Sequence, residues 1–237
     1  MHNASLRPAK PTNLKQKLTL PCLLVAAAAY LPSANAGLIS WNATYFNDAG
    51  LSAGDYATFQ SVVNSGLNYY STAFSSPNAV TVDVQFHAGT TGLGTTSGFG
   101  IPVGYQDYRN ALAGTGTSAN DATALVFLPN TVNNPVNGST SISVTPALGR
   151  ALGLFGNVAI PYDASMILNV NLMTLSRNVP QAPGTYDLTQ VLYHELNEVL
   201  GFGSALNGTT FGDPVPTGDI GPADLFRYNG IVTNPAL

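Results

Sequence analysis

Glu195 and Glu198 are the only glutamates in the 237-residue chain, and they follow His194 in the run "YHELNEVLGFG". The remaining acids are all aspartates, and the other histidines are His2 and His87. A surface that does without glutamate elsewhere points to a specific use for these two. An imidazole and a carboxylate four residues apart rise from one side of an α-helix and can reach one divalent cation. His194 and Glu198 are therefore candidate metal ligands. Glu195 projects about 100° further round the same helix, where it can take a proton from a water held by the ion. Zinc accepts such nitrogen and carboxylate donors, and calcium in a structural site would also accept the oxygens.

The element that must position them is a helix over about residues 186–200. Asp187 or Thr185 can cap its start, and Gln190 stands three residues after Asp187 as in a capping box. Gly201 and Gly203 are suited to end it. With Leu188 as zero, Leu192, Leu196, Val199 and Leu200 fall between about 20° and 120°, a single apolar arc. Gln190, Tyr193 and Asn197 fall at roughly 140–200°, the expected solvent side. His194 near 240°, Glu198 near 280° and Glu195 near 340° are expected at the flank of the buried arc, away from that solvent side. Burying two carboxylates there without partners costs several kcal/mol each, a cost a cation removes.

Upstream, "LISWNATYFN" at 38–47 reads as a strand. Tyr56, Phe59, Val62, Val63, Leu67 and Tyr70 have helical spacing, with Ser52 or Asp55 as cap and Pro77 beyond the end. Val80–Phe86 alternates as a strand, 88–104 reads as a glycine- and threonine-rich loop, and Tyr105–Leu112 as a short helix. "ATALVFLP" at 122–129 suits a buried strand or a helical segment, because short apolar runs do not distinguish them. "SISVT" reads as one strand within the loop 130–148. "ASMILNVNLM" at 164–173 reads as another, expected at a sheet edge facing the active cleft, where an extended peptide could pair with it. This mixture predicts a single α+β domain with a mixed sheet.

Arg7, Lys10, Lys15 and Lys17 precede an apolar run from Leu18 to Leu31 and a small-residue site ending at Ala36. That order predicts an export signal over 1–36, which would take Cys22 with it, and a domain over 37–237. The apolar run is short for a bilayer span of about 20 residues. Four of the eight basic residues lie in the leader, leaving 4 − 12 = −8 for the remainder. Such a charge excludes nucleic acid as a natural partner, and no basic amphipathic helix argues for a membrane surface. The expected location is extracellular, and the oligomeric state is open.

The segment resembles the zincin metallopeptidases, whose HExxH motif supplies two zinc ligands and a general base. It is more closely similar to secreted, mostly bacterial, metallopeptidase-like proteins with "HE-[IL]-[DN]-E-[VI]-LG" followed by "DLFRY", here "HELNEVLG" at 194–201 and "ADLFRY" at 223–228. The resemblance implies a zincin-like (metzincin-like) fold and a zinc-dependent peptidase acting on a peptide or protein substrate. It further implies that His194 and Glu198 bind zinc and that Glu195 is the general base. Glu198 stands where the motif has its second His, and Ser204 stands where the metzincin pattern has its third. The third ligand is then sought among Asp213, Asp219 and Asp224. Asp224 is favoured because it opens "DLFRY" beside apolar residues. The rival expectation is a catalytically inactive zincin-fold protein serving as an extracellular binding or structural module. The resemblance implies further strands or a C-terminal sorting tail after "DLFRY", so a C-terminally truncated domain, with a missing ligand beyond Leu237, is the alternative expectation.

Overall fold

The computed structural model describes residues 37–156, 159–206 and 220–226. The expected leader over 1–36 lies outside these residues, as do Asp213, Asp219, Arg227 and Tyr228.

The chain forms β1 (Gly37–Phe46), α1 (Ala53–Ala73), β2 (Ser75–Ser76), β3 (Val80–Gly89), β4 (Gly94–Gly98) and β5 (Ile101–Gly104). It continues through α2 (Tyr105–Thr115), α3 (Ala119–Phe127), β6 (Ser141–Val144), α4 (Pro146–Ala151) and β7 (Ala164–Asn169). The pair β8 (Met173–Thr174) and β9 (Tyr186–Asp187) then leads into α5 (Leu188–Asn197). The main sheet has the order β2-β1-β3-β7-β4. β1, β3 and β7 are parallel, whereas β2 and β4 run antiparallel to their neighbours at the two edges. The molecule is thus α+β with a mixed sheet.

Alternation in β3 explains the sheet's two faces. Val80, Val82, Val84 and Phe86 are buried, while Thr81 and Asp83 are exposed. The buried side packs with Phe59, Val63 and Leu67 of α1 and with Leu188, Leu192 and Leu196 of α5. The other face is polar: Asn42 donates to Asp83 at 2.7 Å, and His87 pairs with Asp48 at 2.6 Å while stacking on Phe46. A second core gathers Tyr105, Tyr108, Leu128, Ile142 and Val144 with Ile220 and Leu225.

Two sequence expectations are corrected, and one left between strand and helix is decided. Residues 88–104 contain β4 and β5, because backbone pairing to β7 and β6 supplies the order that a Gly/Thr run lacks by propensity. The segment 122–129 belongs mainly to α3, whose start is fixed by a reciprocal Ser118–Asp121 capping box. The strand at 164–173 is not an edge: β7 lies between β3 and β4 and gives way to a 3₁₀ turn at Val170–Leu172. The edge strand on this side of the sheet is β4.

Candidate metal centre

α5 begins at Asp187, whose side chain accepts from the Thr189 N–H at 2.8 Å. Leu188, Leu192 and Leu196 are buried in the main core, as the apolar arc predicts. The helix continues through a wider turn, Glu198–Phe202, in which Gly201 has φ 96°. A side chain there would be strained by its backbone, and its Cβ would lie 2.8 Å from Leu148 Cδ2. Gly201 is therefore the stop, set against α4.

Of the flank assigned to solvent, Gln190 is exposed as expected, but Tyr193 and Asn197 are half-buried against α1. Tyr70 donates its hydroxyl to Asn197 Oδ1 at 2.7 Å, and Tyr193 stacks on Tyr69 with centroids 5.4 Å apart. This contact reverses the expectation for His194. Its side chain is 73% exposed and that of Glu198 is 41% exposed. With α1 on one flank and the sheet on the other, the sector bearing these two groups is the open one. His194 Nε2 lies 3.6 Å from Glu198 Oε1.

Glu195 turns the other way, onto β4, and is only 4% exposed. Thr96 Oγ1 donates to Glu195 Oε2 at 2.7 Å. Glu195 Oε1 occupies the space beside Gly94, where an added Cβ would come within 2.3 Å of it. A glycine inside a strand often marks such a close approach. That was the available signal for β4 as part of the site, but a Gly/Thr run carries no strand periodicity. Glu198's carboxyl is pushed above its ordinary range, first by burial and then by the like charge of Glu195, against a downward pull from His194. Those are the conditions a cation relieves. An imidazole nitrogen and a carboxylate oxygen one turn apart on an open surface fit two donor positions of a zinc ion.

Asp224 departs from its expected part. It is fully buried, and its carboxylate accepts from the Ser204 hydroxyl, the Ala205 N–H at 3.0 Å and the Gly221 N–H at 2.9 Å. Ser204, in the expected third-ligand position, is thereby a donor to Asp224. Three hydrogen bonds fix Asp224 as a staple between the end of the motif segment and the turn Pro222–Phe226. Among the described residues, no group of three or more His, Cys, Asp or Glu side chains converges as a metal site. A groove of about 580 Å³ lined by Ser61, Ser65, Arg177, Thr189 and Tyr193 lies elsewhere on α5 and includes none of the motif's three ionisable groups. No helix among the described residues is long and apolar enough to cross a membrane.

No family model matches the chain, and no curated protein or solved structure matches it.

Proposed function

We propose that this protein is an exported zinc-dependent metallopeptidase of zincin-like fold. The observation that carries the reading is the divided motif: His194 and Glu198 stand 3.6 Å apart on the open flank, while Glu195 is held against the edge strand β4. His194 and Glu198 would hold the ion, with a third donor from a downstream group. Bound zinc would supply Lewis acidity at the scissile carbonyl. Glu195 takes a proton from the attacking water and returns it to the leaving amine, so that it ends the cycle as a carboxylate. β4, at the sheet edge beside Glu195, offers backbone groups on which an extended peptide can add as a further strand. Export is supported by the basic, apolar and small-residue order of residues 1–36.

A second reading, an extracellular binding module without catalysis, draws support from the burial of Glu195 and its bond to Thr96, which also suit a purely structural carboxylate. Cleavage of casein and of a mixed peptide pool by the purified zinc-loaded protein separates the two. In the peptidase reading, Glu195→Gln lowers turnover by about 10²–10⁴-fold while zinc binding and the far-UV CD spectrum are retained. Wild-type protein that binds zinc yet cleaves no better than Glu195→Gln would establish the binding module instead.

A further inference from the structure

We propose that Thr96 is a positioning residue for Glu195, and that Gly94 completes the same clamp by leaving room for the second carboxylate oxygen. The inference rests on the peptidase reading for its catalytic meaning, but not for its geometry.

Thr96 has one hydroxyl proton. Thr96 Oγ1 lies 2.7 Å from Glu195 Oε2 and 3.4 Å from the Glu195 carbonyl oxygen, so the shorter contact, to the carboxylate, takes the proton. On the same face of β4, two residues earlier, Gly94 presents bare backbone to Oε1. A Cβ at position 94 would come within 2.3 Å of that oxygen and 2.6 Å of Val191 Cγ1. One oxygen is thus bonded and the other confined. A glutamate otherwise loses about 1.5–2 kcal/mol of rotamer freedom when fixed. Here the fold fixes it beforehand, as preorganised catalysis requires. The clamp lies on the edge strand β4, so the element offered to a peptide backbone is also the one that aims the base. A peptide added to β4 would then meet a carboxylate of fixed orientation.

Because Glu195 and Glu198 are the only glutamates in the chain, protein labelled with [¹³C]glutamate gives one side-chain carboxyl signal for each, and Glu195→Gln assigns them. At one fixed pH, Thr96→Val should move the Glu195 signal, and Thr96→Ser should restore it. Thr96→Val keeps the branched shape that suits a strand and removes only the hydroxyl. In peptide hydrolysis, Thr96→Val should lower kcat by about 10–100-fold, the scale of losing an orienting partner, with KM within about twofold and zinc affinity unchanged. Gly94→Ala should lower kcat through the other oxygen, and Thr96→Ser should recover most of the loss. A Glu195 carboxyl signal unmoved by Thr96→Val, or equal losses of kcat in Thr96→Val and Thr96→Ser, would overturn the proposal. If wild-type protein is inert towards every peptide, the peptidase reading fails and the carbon signals alone decide whether the clamp exists.

Discussion

Asp224 and Glu195 are both almost wholly withdrawn from water, yet their surroundings differ in kind. Asp224 accepts three hydrogen bonds, two of them from backbone N–H groups that would otherwise be left without partners. Among the described residues, Glu195's side chain receives one, from Thr96. An ionised carboxylate has about four lone-pair sites to satisfy. Asp224 therefore has most of its needs met by the fold, and its position is explained by the loop it closes. Glu195 does not: its other oxygen lies beside Gly94 of β4, and the like charge of Glu198 acts on the same helix. Full satisfaction marks a carboxylate as a structural tie, whereas partial satisfaction beside other ionisable groups leaves it available for proton transfer.

The largest effect expected from this contrast is at the satisfied group. Asp224→Ala leaves a hydroxyl and two N–H groups unpaired in a buried place, at a cost of about 2–4 kcal/mol. For a chain of this size, that lowers Tm by roughly 5–15 °C. Zinc affinity of the folded variant should not change, as calorimetry at a temperature below its transition would measure. Loss of zinc binding with little loss of stability would reverse the assignment and return Asp224 to the ligand set. Next in size is Gly201→Ala, expected to cost about 1–3 kcal/mol from its left-handed backbone, with the methyl group also pressing on Leu148. Urea unfolding would detect it. If the cost were negligible, the turn after α5 would not be the rigid stop that holds Ser204 against Asp224.

Much of this arrangement could be read in one dimension. The Val80–Phe86 alternation, the helical spacing of α1, the apolar arc of α5 and the glycine at its end all depend on neighbours close in sequence. The errors came from contacts that are not. A helical wheel distinguishes apolar from polar sectors but cannot say which polar sector a second helix will cover. Tyr69 and Tyr70 cover the Tyr193–Asn197 flank, and His194 is left open as a result. Ser204 and Asp224 meet across 20 residues without any local pattern to announce it. β4 is the sharpest case: Gly94–Gly98 has little strand propensity, and its partners are β7 and the carboxylate of Glu195. Residues that hold a reactive group are often small and ordinary in type, so their part becomes visible only when the group is seen resting on them.

The smaller effects test the open flank. Glu198's folded-state pKa is raised, so the folded protein holds the proton more firmly than the unfolded chain does. Ionisation therefore works against folding: the penalty is absent below the unfolded carboxyl pKa of about 4.3 and grows as pH rises through the higher folded value. In metal-free protein, Glu198→Gln should be slightly more stable than wild type at neutral pH, by less than about 0.5 kcal/mol given the exposure of the group. The advantage should vanish near pH 4. Saturating zinc should reverse the order at neutral pH, because only the carboxylate gains from the ion; thermal melts at the two pH values, with and without zinc, give all four comparisons.

His194→Ala is expected to change metal-free stability least of all. An exposed imidazole removed from a helix that keeps its core face should shift the unfolding free energy by no more than about 0.5 kcal/mol. The stabilisation conferred by zinc, which follows from binding to the folded state alone, should nevertheless be largely lost. A variant that is neutral without the ion and deficient with it identifies a ligand rather than a structural residue. If His194→Ala instead unfolds the metal-free protein, the imidazole must be packed rather than open. If zinc stabilises the variant as well as wild type, the ion sits elsewhere, and the difference between the satisfied and unsatisfied carboxylates reflects packing alone.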